Sequence, residues 1–202
     1  MADILIDNET KPSAPASGKS LLFVDSSMLT LASLDATGLP HGVLYTTGST
    51  SAQGSIATTE VYLTGSSILI PSYGMTTNMI FIWLISAAKG AASTAAPIWT
   101  WRIGAAKTTS DTSRLALTAT GVQAATAFDG ILVASLRVNS VGASGVITGS
   151  GGSGPNFGGG GSGVSSGFDN TSTIGGQYIG LTVTSGASAT WSINSVSAFL
   201  IG

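Results

Sequence analysis

Few side chains in this chain can perform nucleophilic or acid–base chemistry. The sequence has no cysteine and a single histidine, His41, which stands between Pro40 and Gly42. A Ser–His nucleophile needs its histidine oriented by a third group, and the sequence contains no G-x-S-x-G elbow. We therefore expect His41 to lie in a loop or an interface, and we expect no catalytic residues of this kind.

Acidic residues offer a second kind of chemistry. Glycoside hydrolysis needs a pair of carboxylates, for which Glu60, Asp111 and Asp129 are candidates. Calcium could take oxygen ligands from Asp169, Asn170 and backbone carbonyls. Carboxylate pairs can be drawn in almost any sequence, and the acidic spacing does not repeat. Zinc usually needs several Cys or His ligands. We expect no metal-binding residue and classify the chain as not an enzyme.

Two glycine motifs resemble nucleotide-binding sequences. Gly149, Gly151 and Gly154 match G-x-G-x-x-G, but more glycine follows where a dinucleotide site needs a helix. Gly18-Lys19-Ser20 resembles the end of a P-loop, but Ser13 stands where that motif needs glycine. We therefore expect no cofactor and no cofactor-binding residue.

Aromatic side chains could instead bind sugars by stacking on their rings. The tryptophans of the chain are Trp83, Trp99, Trp101 and Trp191. Trp99 and Trp101 share strand parity with Ile103, and Trp83 lies in an apolar run, which favours burial in a core.

The composition argues against nucleic-acid and membrane partners. Charged residues make up 8 % of the chain and the net charge is −2, so there is no basic footprint for nucleic acid. The longest apolar run, 79–88, is half the length of a membrane-spanning helix. The N-terminus lacks the pattern of a signal peptide, and the absence of cysteine fits a reducing cytoplasm. So little charge favours self-association.

The charges gather near the N-terminus, where 7 of the 16 fall within the first 35 residues. Residues 11–16 predict a stiff extended linker, and residues 18–34 predict a small hairpin with its turn near Asp25. We therefore predict an N-terminal attachment arm with a short hairpin at 1–40 and a separate domain at 41–202.

Residues 41–202 show the alternation of an all-β domain. We predict about eight strands in a sandwich or barrel, because alternating apolar runs recur between turn signals. Opposite parities of Trp191–Ile193 and Val196–Leu200 predict a β-bulge at Asn194-Ser195. Residues 48–54 are predicted as a turn-rich loop, and the glycine-rich segment 149–167 as a long surface loop in preference to a flexible linker.

Two groups of residues resemble parts of tailed-phage virion proteins. Pro15–Lys19, the apolar strand Leu21–Val24 and the turn Asp35-Ala36-Thr37-Gly38 resemble the N-terminal attachment segments of fibre proteins. Trp101-Arg102-Ile103-Gly104, the segment Thr108–Leu117 and Val141-Gly142-Ala143 resemble jelly-roll modules of fibre and capsid-decoration proteins.

This resemblance implies a jelly-roll β-sandwich that forms a homotrimer, with an extended N-terminal arm at residues 1–40 docked on capsid or tail proteins. The chain would be located in the virion, assembled in the host cytoplasm, and would stabilise the particle, contact a host surface glycan, or both. One alternative is a carbohydrate-binding module or lectin of a bacterial surface system. A polysaccharide depolymerase is the third, which the scarcity of His and acidic residues disfavours.

Overall fold

The computed structural model describes residues 8–9, 21–25, 30–34, 40–41, 43–90, 96–119, 127–153, 161–185 and 191–202. These residues form sixteen strands and one short 3-10 helix, Ser172–Ile174. The strands are β1 Asn8–Glu9, β2 Leu21–Asp25, β3 Thr30–Leu34, β4 Pro40–His41, β5 Val43–Ser49, β6 Gln53–Ile56, β7 Val61–Tyr62, β8 Ile68–Leu69, β9 Ile80–Lys89, β10 Ile98–Gly104, β11 Thr112–Thr118, β12 Phe128–Ser140, β13 Gly145–Ser153, β14 Gly161–Phe168, β15 Tyr178–Thr184 and β16 Trp191–Ile201.

Two antiparallel sheets pack face to face, so the expected β-sandwich is confirmed. A seven-stranded sheet has the order β14-β13-β12-β9-β16-β5, with β6 also paired to β16. A five-stranded sheet has the order β11-β10-β15-β7, with β8 also paired to β15. The chain passes repeatedly from one sheet to the other, and β12, β13 and β14 form a meander within the larger sheet.

The alternation of apolar residues along the strands fills the space between the sheets. Strand β9 buries every second residue, from Phe81 through Trp83 and Ile85 to Ala87. Strand β15 buries Ile179, Leu181 and Val183 from the opposite sheet. Since successive side chains of a strand point to opposite faces, this period of two produces one continuous core.

The predicted bulge in the last strand is confirmed. The pairing of β16 with β9 shifts register between Ile193 and Ser195, with Asn194 exposed at the shift. The extra residue changes the parity of the strand, so that Trp191 and Ile193 before it and Val196 after it all face the core.

Both loop predictions are wrong over most of their length. Residues 149–153 and 161–167 belong to β13 and β14, which pair from Gly151 with Gly161 to Gly145 with Phe168. Residues 154–160 lie outside the described part of the chain. Within 48–54, residues 48–49 end β5 and 53–54 begin β6, and both strands pair with β16. Glycine disfavours strands in general, which is why its abundance suggested loops.

Large side chains of the facing sheet explain why β13 and β14 are rich in glycine. Trp99 and Trp101 of β10 lie beside Leu117 and Leu115 of β11, and all four are buried. A Cβ atom added to Gly149 would stand 2.5 Å from Leu115 Cδ2, and one added to Gly163 would stand 2.5 Å from Leu117 Cδ2. At Gly151 it would meet the Trp99 ring at 3.0 Å. The glycines leave the space that these side chains fill.

The N-terminal strands form a separate small sheet in the order β1-β2-β3-β4. The predicted hairpin is confirmed, because β2 and β3 pair antiparallel from Leu21 with Leu34 to Asp25 with Thr30. Strand β1 runs parallel to β2. The predicted linker 11–16 lies outside the described residues, and the domain boundary near residue 41 stays a prediction.

The close contact of the β13 glycines with the facing sheet predicts that substitutions at neighbouring positions of β13 differ in their effect on the free energy of unfolding. Gly149→Val should lower the free energy of unfolding by about 1–3 kcal/mol, because the new side chain enters a filled core. Ser150→Val is the matched control: Ser150 is exposed on the other side of the same strand, so we expect a change within about 0.5 kcal/mol. Urea denaturation of both variants measures this. Equal stabilities would contradict the proposed packing role of Gly149.

Candidate functional site

Two of the three candidate carboxylates lie near one arginine on the outer surface of the five-stranded sheet. Glu60 precedes β7, and Arg102 lies on β10 with its side chain away from the core. Arg102 donates from Nε to Glu60 Oε1 at 2.9 Å and from Nη2 to Oε2 at 2.7 Å. Its Nη1 donates to the backbone oxygen of Asp111 at 2.6 Å. The two bonds from Arg102 to Glu60 form a bidentate contact, which is the strong form of an arginine–carboxylate pair.

The electrostatics of Glu60 do not suit a general acid. The hydrogen bonds from Arg102 hold the pKa of Glu60 below its ordinary value, against the opposing effect of burial, and the Thr182 hydroxyl lowers it further by donating to Oε1. A catalytic acid of a glycosidase needs a raised pKa instead. Glu60 is therefore ionised at neutral pH and engaged in holding β7, β10 and β15 together.

Asp111 is engaged by the loop between β10 and β11. It is buried, and its carboxylate accepts hydrogen bonds from the backbone N–H groups of Ala106, Lys107 and Thr108 at 3.1, 2.8 and 3.4 Å. The third candidate, Asp129, lies exposed at the start of β12 in the other sheet. The predicted carboxylates therefore form no facing pair like that of a glycosidase.

The candidate calcium ligands Asp169 and Asn170 instead make hydrogen bonds that stabilise turns. Asp169 Oδ1 accepts from the Thr171 backbone N–H at 3.0 Å and from its hydroxyl at 2.6 Å, and these bonds hold the pKa of Asp169 below its usual range. Asn170 is fully buried, donates to the Ser140 carbonyl and accepts from Gly142 N–H, each at 2.9 Å. Among the described residues, no group of three His, Asp or Glu side chains is placed to hold a metal ion.

The other sequence candidates fall into strands or outside the description. His41 lies in β4, where it pairs with Ser33. Gly149 and Gly151 of the G-x-G-x-x-G match lie within β13. The next element in the structure is the strand β14, which pairs with β13, and not the helix that a dinucleotide site needs. Residues 18–20 lie outside the described part of the chain.

All four tryptophans lie in the core, so the prediction of core packing is confirmed and the tryptophan platform for sugars is wrong. Their exposed fractions are 2 % or less. Trp83 stacks edge-on against Trp101 at 6.4 Å between ring centroids and donates from Nε1 to the Ser66 carbonyl at 2.7 Å. Rings buried on all sides cannot stack on a ligand.

Sequence reasoning missed a cleft lined by tyrosine beside the arginine–glutamate pair. The Tyr62 ring lies over Gly180, where a Cβ atom would collide with it. The Tyr62 hydroxyl is 3.2 Å from Ser67 Oγ, and burial raises its pKa. Lys107 Nζ stands 3.7 Å from the centroid of the Tyr178 ring, a cation–π contact. A cavity of about 400 Å³ opens beside Tyr62, Thr64, Ser67 and Lys107.

The strand parity of β15 signalled Tyr178, whose ring contacts Lys107 at the edge of this cleft. Tyr178, Gly180 and Thr182 alternate with the buried Ile179 and Leu181, which places the tyrosine on the outer surface. Tyr62 comes from a strand far away in sequence, and only the pairing of Thr182 with Tyr62 brings the two rings to one surface.

The fold and these sites define a β-sandwich with a polar cleft and, among the described residues, without a group of acidic or histidine side chains placed to hold a metal ion. No protein-family model matches the chain, and no curated protein matches it. Within the described residues, no helix has the length and apolar character needed to cross a membrane.

The arginine–glutamate pair predicts a pH-dependent contribution to stability. A carboxyl whose pKa is lowered by folding stabilises the chain above its unfolded pKa, and this contribution disappears as the pH falls through the folded pKa. At pH 7 we expect a coupling of about 1–2 kcal/mol between Glu60 and Arg102 in a double-mutant cycle of Glu60→Gln and Arg102→Met.

Urea denaturation of the four proteins at pH 7 and near pH 3 measures the coupling. It should weaken as the pH falls through the lowered pKa of Glu60, because the carboxyl then becomes protonated. A coupling that is the same at both pH values would contradict the ionic character of the contact.

Proposed function

We propose that this chain is a non-enzymatic structural protein of a tailed-phage virion, which decorates the capsid or forms a short fibre. Residues 1–40 would dock on other virion proteins, and the β-sandwich would project from the particle as a homotrimer. The proposal rests on the resemblance of residues 15–38 and 101–117 to such proteins, together with the character of the molecular surface.

The observation that carries the proposal is the exposed face of the seven-stranded sheet. This outer face presents aliphatic side chains on β9, β12 and β14, including Leu84, Ile131, Val133 and Val164. Contiguous exposed apolar surface in a chain with 8 % charged residues is typical of a protein that assembles with others.

The polar side chains support the same proposal. Glu60 and Asp111 are both engaged in hydrogen bonds that hold strands and a loop, and the side chain of Asn170 bridges two turns. Catalytic groups usually have pKa values shifted toward their task, whereas the carboxyls of Glu60 and Asp169 are held in the ionised form.

Immunoelectron microscopy tests the location. Antibodies against the purified chain should label phage particles, at regular positions on the capsid or on the tail, in lysates of the strain that encodes it. Light scattering on the purified full chain should give about three times the 20.0 kDa chain mass. Label confined to free protein or to the bacterial surface would reject the virion proposal.

A second candidate function, carbohydrate binding, is favoured by the tyrosine cleft. Tyr62 and Tyr178 are half-buried and lie on one surface with Lys107 and the cavity, which supplies rings and hydrogen-bonding groups together. A fibre head that binds a bacterial surface polysaccharide would unite the two functions.

Tyr178→Ala should weaken binding to such a polysaccharide about tenfold, because the ring is lost. Tyr178→Phe is the matched control, since it keeps the ring and removes only the hydroxyl. Glycan arrays followed by titration calorimetry measure both. Equal affinities of the two variants would exclude stacking on Tyr178.

A further inference from the structure

The outer face of the seven-stranded sheet has an apolar centre. Ile131 is 63 % exposed, Val133 41 % and Leu84 38 %. Leu84 pairs with Val133 on one side, and Ile131 lies two residues from Val133 on the same surface. Side chains in such cross-strand pairs are about 5 Å apart, so these three form one continuous patch.

The patch continues across the neighbouring strand β16. Ile82 pairs with Phe199, and Ile80 pairs with Ile201, and these four side chains are half-buried. Around this centre the outer face carries small hydroxyl side chains, among them Ser86, Ser135, Ser150, Ser162 and Ser197. Small, flat surroundings allow another surface to approach closely.

Charge is nearly absent from this sheet. In the described parts of its seven strands, the charged residues are Lys89, which is buried, and Asp129 and Arg137. Asp129 and Arg137 both lie on β12, eight residues apart and therefore about 27 Å from one another along the strand. Arg137 donates from Nη2 to Asn78 Oδ1 at 2.6 Å at its end of the face.

We propose that a second copy of this chain covers the outer face in the assembled protein. Each copy carries one acidic and one basic group at opposite ends of the same strand, so the Asp129 end of one copy attracts the Arg137 end of another. No like-charged pair has to be buried. The face therefore carries its own complementary charge.

The size of the face suits such a contact. Six strands spaced about 4.8 Å apart, taken over the roughly 27 Å between Asp129 and Arg137, present on the order of 700 Å². A stable interface needs about 800 Å² from each partner, which the face approaches before its rims are counted. This inference deepens the proposed homotrimer and rests on it: in a trimer the Asp129 end of each face would meet the Arg137 end of the next copy around the threefold axis, whereas two faces that pair directly would give a dimer.

A pair of matched substitutions tests the contact in the full-length chain. Val133→Lys places a charge in the centre of the patch and should raise the dissociation constant of the assembly by about thirtyfold or more. Val141→Lys is the control: Val141 is 40 % exposed, like Val133, but lies in the turn between β12 and β13. Sedimentation equilibrium over a range of concentrations measures both, and circular dichroism checks that both remain folded.

A charge exchange provides a second measurement. Arg137→Asp gives each copy acidic groups at both ends of the face and should weaken assembly, most strongly at low salt. The double variant Asp129→Arg with Arg137→Asp restores opposite charges and should recover most of the lost affinity.

The possible results separate this inference from the proposed function. A trimer that Val133→Lys dissociates and Val141→Lys leaves intact supports both. A dimer with the same sensitivity supports the shared face and rejects the homotrimer. A trimer indifferent to Val133→Lys and to Arg137→Asp overturns the inference and leaves the proposed function standing. A wild-type monomer at all concentrations overturns the shared face and the homotrimer, and assigns the face to residues 1–40 or to another protein.

Discussion

The contact between large side chains on one sheet and glycines on the other is the constraint on which the sandwich depends. Trp99, Trp101, Leu115 and Leu117 form a block of four on β10 and β11. Sheets pack about 10 Å apart, and a second layer of large side chains would not fit above this block. The glycines on β13 and β14 leave room for this block. The packing of the two sheets therefore explains why these two strands are rich in glycine.

This packing explains why the strands at one end of the large sheet can be so poor in apolar residues. Gly149 and Gly163 contribute backbone, not side chains, to the core, and the free energy of burial comes from the indole and leucyl groups that cover them. Strand β13 pairs with β12 on one side and with β14 on the other, and side chains of β10 and β11 cover the glycines of both strands. All four tryptophans are buried in the core, and the aromatic side chains at the polar cleft are the half-buried Tyr62 and Tyr178.

The sequence predicted the strands in which apolar and polar residues alternate, and it failed where the alternation involved glycine. The bulge at Asn194-Ser195 followed from parity alone. Strand β13 also has a period of two, with Gly145, Ile147, Gly149 and Gly151 facing the core, but glycine was taken as a sign of a loop. The glutamate–arginine pair was missed for another reason: its members are 42 residues apart, and no local pattern reports a contact between strands that distant.

The two outer faces of the sandwich differ in the side chains that they present, and this difference determines what each face can bind. On the five-stranded sheet, Glu60 bonds to Arg102 of β10 and Thr182 of β15, so charge and hydroxyl groups are engaged across three strands. These polar groups already have hydrogen-bond partners within the protein. A ligand that binds there must compete with those partners or stack on the tyrosine rings. On the seven-stranded sheet most of the described outer side chains between Asp129 and Arg137 are aliphatic or carry small hydroxyls. Removing that surface from water therefore gains free energy without breaking a polar network, which favours burial against a protein over binding of a small polar ligand.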